Sequence, residues 1–181
     1  MLYRHTSKVR FPLDDAGNIA LRFKQRNFYD KKDWGLHLGT DIPVKSETEV
    51  YSIGNGIIVY SKLHPAKFSE KGKIAKRNWG GIIIIAHKSP KSGKIFYSLY
   101  GHLGKRLVKS GDRVKIGDTI GRIGKAMSTS NGGWEEEHLH FSIYTGPFEN
   151  KILPGYYREG EKRTKLNYWK DPIIFIKNYL K

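Results

Sequence analysis

Short stretches of alternating and β-branched apolar residues, cut by glycine turns, fill the middle of this chain and predict strands rather than helices. From Thr48 to Ser61 the order T-E-V-Y-S-I-G-N-G-I-I-V-Y-S predicts a hairpin, two short strands around a Gly54-Asn55-Gly56 turn. Gly80-Gly81 leads into Ile82 to His87, a β-branched run expected of a buried strand. Turn residues at Lys88 to Gly93 are followed by a strand over Lys94 to Gly101. Gly111-Asp112 and Gly117-Asp118 then bracket Val114 and Ile116, with Ile120 and Ile123 beyond. Two stretches break the pattern: basic, polar Lys62 to Arg77, expected as a surface loop, and glycine-bearing Lys125 to Glu137, a loop ahead of His138. Near the end, Asp171-Pro172 offers a helix cap and a first-turn proline, with Ile173, Ile176 and Leu180 on one face of a short docking helix. The expected fold is mainly β, a small antiparallel, barrel-like sheet with a short C-terminal helix.

Residues 1 to 36 mix charge with aromatics and show no periodicity, so an irregular arm packed on the following domain is expected. With 181 residues and 38% apolar content, one compact domain suffices. The organisation expected is an arm over 1–34, a β core over 35–145 and an extension carrying the helix over 146–181. Thirty-three Lys and Arg against seventeen Asp and Glu give a formal charge of +16, which favours a polyanionic partner: nucleic acid, an anionic membrane surface or bacterial cell wall. No recognised nucleic-acid motif accompanies the charge, and the longest apolar stretch, Ile82 to Ala86, is too short to span a bilayer. Met1 to Asn18 contains no apolar run of secretory length, so no signal peptide is visible. Cysteine is absent, so a metal would have to be held by His, Asp or Glu.

Such donors occur in three places. His37 and Asp41 lie four apart, His138 and His140 two apart, and His102 falls between the two clusters. On a strand His138 and His140 project from one face, about 6.6 Å apart along the chain, a spacing that suits one metal ligand beside one catalytic base. His37 and Asp41 would be about 13 Å apart if fully extended, so the chain must bend between them, and Gly39 permits it. Neutral imidazoles and a carboxylate form a zinc-binding set, and three protein ligands leave a fourth position for water.

These residues sit in segments that resemble peptidase family M23, the lysostaphin- and LytM-type zinc endopeptidases of peptidoglycan. The resemblance runs in order through H-L-G-T-D-I (37–42), V-Y-S-I-G-N-G-I-I-V (50–59), N-W-G-G-I-I-I-I-A-H (78–87), Y-S-L-Y-G-H-L (97–103), V-K-S-G-D-R-V-K-I-G-D-T-I-G-R-I-G (108–124) and H-L-H-F-S-I (138–143), and D-P-I-I-F-I (171–176) resembles the closing segment. It implies the duplicated-hybrid-motif fold. It also implies Zn²⁺ held by His37, Asp41 and His140, with His102 and His138 as the catalytic pair that orients and deprotonates water. The implied substrate is peptidoglycan, at cross-links or stem peptides, and the implied setting is periplasm, cell wall or extracellular space; a monomer is expected. A non-catalytic LytM-like domain that regulates another wall hydrolase is the alternative. Degenerate domains of that kind lack ligands, whereas every ligand position here is filled.

The chain departs from the family pattern in the basic stretch 62–77 and in the long acidic loop before His138. In lysostaphin-like members a tyrosine precedes the first zinc histidine; Tyr29 and Trp34 flank that region at other spacings and receive no role. His5 and His64 are expected at the surface and His87 as a structural residue. Glu135, Glu136 and Glu137 are expected in solvent or in salt bridges, and Trp134 either walls a cleft or anchors its loop.

Overall fold

The structure is a computed structural model and describes residues 5–15, 19–29, 31–89 and 92–180. Nine strands form one antiparallel sheet. Three of them, β5 (Gly56–His64), β8 (Gly80–Lys88) and β9 (Ile95–Arg106), carry most of the pairing, and β12 (His138–Tyr144) extends it from β9. At the edges lie β3 (Thr40–Pro43), β4 (Glu49–Tyr51), β10 (Arg113–Val114) and β14 (Trp169–Lys170), and β11 (Thr119–Ile123) lies between β9 and β4. A smaller sheet joins β1 (Arg26–Tyr29), β2 (Lys32–His37) and β13 (Tyr156–Tyr157), while β6 (Lys67–Phe68) and β7 (Ile74–Lys76) form a ribbon of their own. The one α-helix among the described residues is α1 (Pro172–Tyr179).

Strand β8 divides two cores. Ile83 and Ile85 point into one with Ile58, Leu139, Phe141 and Ile143, while Ile82 and Ile84 point into the other with Leu38, Tyr60, Leu99 and Trp169. All four isoleucines are fully buried, each contributing on the order of 2 kcal/mol, so the continuous β-branched run is the signature of a strand covered on both faces. Strand β12 follows the same alternation with a different result. Leu139, Phe141 and Ile143 fill the first core, and the opposite face presents His138, His140, Ser142 and Tyr144.

Strand β9 changes partner halfway. Tyr97 to Gly101 pair with β12, whereas Leu103 to Arg106 pair with β11. At the switch β9 bulges, because Gly81 faces Leu103 and Ile83 faces Tyr100, leaving Gly101 and His102 opposite Ile82 alone. His102 takes a φ of +64°, a left-handed conformation that costs a non-glycine residue about 1 kcal/mol or more.

Several expectations need correction. Strands β4 and β5 are not a hairpin: β4 pairs β11, β5 pairs β8 and β10, and the chain between them crosses from one edge of the sheet to the other. Gly54 and Gly56 serve close approach instead of a tight turn, since a Cβ at Gly54 would strike Thr6 Cγ2 at 2.3 Å and one at Gly56 would strike Ile85 Cγ2 at 2.5 Å. The arm is not irregular throughout, for Arg26 to Tyr29 make β1 against β2 with a bulge at Asn27/Phe28 that hides any alternation. The basic stretch is also partly ordered, as β5 runs on to His64 and the β6–β7 ribbon follows. Pro90 and Lys91 of the 88–93 turn lie outside the described residues. In α1, Asp171 caps by accepting from the Ile173 and Ile174 amides, but Leu180 is exposed, and Phe175 and Tyr179 pack on the core with Ile176. One turn of helix is 3.6 residues, and the aromatic rings reach Phe96 where Leu180 is carried past it.

Candidate metal centre

Three donors converge where β2, β3 and β12 meet. His37 closes β2, the chain bends at Leu38-Gly39, and Asp41 opens towards β12, where His140 pairs directly with it in register. His37 Nε2 lies 2.9 Å from His140 Nδ1, His140 Nδ1 lies 2.9 Å from Asp41 Oδ1, and His37 Nε2 lies 3.2 Å from the same oxygen. Gly39 is required for more than the bend. A Cβ there would stand 2.4 Å from Ser142 Oγ and 2.7 Å from His140 Nε2, so only glycine lets the His140 ring sit against the turn.

The outer nitrogens fix which atoms face inward. His37 Nδ1 donates to the Arg22 carbonyl at 3.3 Å, and His140 Nε2 is hydrogen-bonded to Ser142 Oγ at 2.8 Å. His37 Nε2 and His140 Nδ1 face each other and the carboxylate, and with the proton of each ring on its outer nitrogen both would present lone pairs to an ion. Three lone pairs directed at one another repel unless a cation stands among them, and a ring of donors about 3 Å apart is the spacing left by bonds of about 2.0 to 2.1 Å to one zinc-sized ion. Burial opposes the charge of Asp41, but the two neighbouring rings more than offset it and hold the carboxyl well below the usual range. Burial, against the pull of Asp41, lowers His140 to about 4, so the ring is a neutral ligand at physiological pH. His37, Asp41 and His140 thus lie close enough together to hold one metal ion.

The other two histidines stand beside it. His102 and His138 have ring centroids 4.5 Å apart, and His102 is 6.1 Å from His140. His102 Nδ1 donates to the Asn131 carbonyl and His138 Nδ1 to the Glu136 carbonyl, both at 3.0 Å, which leaves each Nε2 with its lone pair. Burial pushes His102 well below the ordinary histidine value. The bulge aims this ring, and Trp79 stacks on it at 5.8 Å while standing edge-on to His140 at 4.8 Å. Gly101 makes room for that indole, since a Cβ there would meet the Trp79 ring at 2.8 Å.

All five residues border one groove of about 490 Å³, or pack directly on the ligands that do. Its walls bring in residues that had no role in the sequence reading. Asn78 and Trp79 come from the approach to β8, Trp34 from β2, and Pro154, Gly155 and Tyr156 from the return of the chain after β12. Trp134 both lines the groove and anchors its loop, its indole N–H donating to the Asn78 carbonyl at 3.1 Å. Of the acidic triplet, Glu135 pairs with Arg77. Glu137 is not a solvated charge, because its carboxylate accepts from the Ser46 and Ala126 amides and so ties the loop to the body. The Tyr156 ring lies 5.4 Å from His37; burial first, then the charge of Asp41, raises its phenol to about 12. Its Oη accepts from Asn27 Nδ2 at 2.8 Å. Sequence reasoning does not reach it, because nothing local to Tyr156 marks the pairing of β13 with β2.

Against known proteins, the profile of peptidase family M23 matches residues 35–152. The peptidoglycan DD-endopeptidase ShyA of Vibrio cholerae is 30% identical over 135 residues, which are 74% of this chain and 26% of ShyA. The chain therefore spans about a quarter of that relative. Among solved structures, a zinc-containing peptidase from Vibrio cholerae superposes with a TM-score of 0.57 at 27% identity, covering 78% of this chain and 37% of that one. Lysostaphin from Staphylococcus simulans gives 0.58 at 23% identity over 99% of this chain and 56% of its own, a likeness of fold.

Proposed function

This chain belongs to peptidase family M23, and from that premise we propose that it is a zinc-dependent endopeptidase that hydrolyses peptide bonds of bacterial peptidoglycan. The observation that carries the reading is the convergence of His37 Nε2, Asp41 Oδ1 and His140 Nδ1 on one point, with two further imidazoles beside it that each use Nδ1 on a backbone carbonyl. His37 Nε2, Asp41 Oδ1 and His140 Nδ1 would hold the ion. Zinc bound there supplies Lewis acidity and lowers the pKa of an associated water towards about 7.

The remaining steps fall to the protein. One of the pair His102 and His138 accepts the proton of the attacking water at Nε2 and passes it to the departing amine, while the other orients that water by accepting a hydrogen bond from it. Their shared orientation is fixed by the carbonyls of Asn131 and Glu136, so neither ring must reorganise during turnover. Trp34, Trp79 and Trp134 supply flat apolar walls along the groove, and the backbone of a peptide laid between them is held away from bulk water. The high positive charge favours accumulation on an anionic wall polymer. The periplasm, the cell wall or the exterior of the cell is the setting this substrate requires.

The test is digestion of purified peptidoglycans that differ in cross-link chemistry, with fragments identified by mass spectrometry. Cleavage of one peptide bond, abolished by chelator and restored by Zn²⁺, is the expected result. Tight binding to the sacculus with no bond cut by the zinc-loaded protein would favour a non-catalytic regulator instead.

A further inference from the structure

The rings around the donor triad form a closed circuit. His37 lies against Tyr156 at 5.4 Å, Tyr156 against Trp34 at 5.5 Å, Trp34 against Trp134 at 5.9 Å and Trp134 against His102 at 5.7 Å. The circuit returns through Trp79, 5.8 Å from His102 and 4.8 Å from His140, and closes where His140 and His37 stand 4.7 Å apart. Its base is therefore made of the triad's own imidazoles. Its top is a single contact, between an indole carried by β2 and one carried by the loop ahead of β12.

That contact spans the groove. Trp34 belongs to the wall of Tyr156 and Trp134 to the wall of His102 and His138, and all five line the same space. The two indoles meet edge-on, with their planes 61° apart, which leaves no width for a peptide between them. Their backbones are tied down. The Trp34 carbonyl accepts from Arg158 Nε at 3.3 Å, and the Trp134 amide donates to Asn131 Oδ1 at 2.8 Å. The bridge therefore opens by turning an indole and not by moving a wall. A peptide with a free end can thread a closed circuit. A peptidoglycan cross-link has no free end, because each side continues into a stem and a glycan strand, so it enters from the open side of the groove and only when the indoles part.

We propose that Trp34 and Trp134 form a gate over the metal centre that determines which peptides reach it: end-blocked cross-links pass only through the open state, whereas free-ended peptides also enter beneath the closed one. This rests on the peptide-hydrolase reading above. One edge-to-face contact is small beside the burial that holds the walls, so the gate opens without cost to the fold. Its return over a bound chain closes the water-excluding side of the groove.

The test measures association, not turnover. Cross-link peptides of the D-alanyl-diaminopimelate and pentaglycine kinds are made uncleavable by reducing the scissile amide, each in two forms, free at both ends and carrying a disaccharide-bearing stem at both ends. Stopped-flow anisotropy of a dye on the ligand gives the association rates with zinc-loaded protein. In the wild type the end-blocked form of the cross-link that binds should associate about 10-fold or more slowly than the free form, the cost of waiting for a conformational change. Trp34→Ala should bring the two rates together with zinc content unchanged by elemental analysis, and Trp34→Phe, which keeps a ring against Tyr156, should leave an intermediate gap. Slower diffusion of the larger ligand is common to all three proteins and cancels. Trp34 is the position to change because the Trp134 indole also anchors its loop. Equal rates in the wild type, a gap that persists in Trp34→Ala, loss of zinc from both variants, or failure of every analogue to bind would overturn the gate. If the wild type cuts peptidoglycan but shows no gap, the hydrolase reading stands and the gate falls; if it cuts none but shows a Trp34-dependent gap, the reverse holds.

Discussion

Two buried histidine clusters lie in the same sheet and mean opposite things. At one, His87 on β8 is fully enclosed, with Nδ1 donating to the Asn55 carbonyl at 2.9 Å and Nε2 2.7 Å from Ser98 Oγ, which lies 3.0 Å from Tyr100 Oη. Its ring also stacks on Phe96 at 5.0 Å. Every polar atom of that imidazole is satisfied inside the fold. At the other, His37, His102, His138 and His140 are almost as buried, yet each uses one nitrogen on the surrounding fold and turns the second towards the site. The second nitrogen of each faces the donor triad or the groove. Burial is therefore a poor guide to which histidine acts, whereas asking where both nitrogens go separates the two clusters at once.

Substitutions should divide along the same line. His140→Ala removes a ligand, so zinc should fall from about one per chain to near none and hydrolysis by more than about 10³-fold; His102→Ala should keep its zinc and lose about 10²- to 10⁴-fold in kcat. Elemental analysis beside a muropeptide-release assay checks both, and zinc loss in His102→Ala would erase the proposed division between ligand and base. At the sealed cluster, acid should act on stability and not on chemistry. Burial lowers His87 to about 4 in the fold against about 6.5 in the unfolded chain, so the unfolded state takes up the proton first. The contribution is complete above about pH 6.5 and is lost as pH falls towards 4, to the extent of roughly 3 kcal/mol. Urea unfolding of the wild type and His87→Gln at a series of pH values should show a steeper acid loss in the wild type, and parallel curves would refute it. The smallest effect is expected at Ser142→Ala, which takes away the acceptor of the His140 N–H. Zinc affinity should weaken by about 10- to 100-fold while the fold is unchanged, as read by competition with a chromogenic chelator.

Much of the site could be read before any coordinates because its donors lie in contiguous strings. His138 and His140 alternate on a strand, and their common face follows from a period of two; His37 and Asp41 need only one bend. What sequence could not supply was pairing between distant segments. The Gly54-Asn55-Gly56 stretch has hairpin composition, but long-range contacts with Thr6 and His87 decide what its glycines are for. Glu137 belongs to a charge run and still caps backbone amides, because the loop folds back over Ser46. The left-handed backbone at His102 is not legible locally either, since histidine tolerates that conformation better than most residues but still adopts it in a small minority of cases; it falls at the partner switch of β9. Tyr156 is the extreme case, its position set by a strand pairing 119 residues away in sequence, between Tyr156 and His37.

The strap formed by Pro154, Gly155 and Tyr156 has a practical corollary for anyone preparing a minimal fragment. Ending the polypeptide at residue 152, where the family match stops, would leave both groups of imidazoles in place and yet unroof one side of the trough, exposing the edge of β2 that Gly155 and Tyr156 cover and removing α1, whose Ile176 is buried in the first core. A truncated protein that still loads zinc but works sluggishly would then report a missing wall and a thinner core, and should not be mistaken for an inactive member of its family.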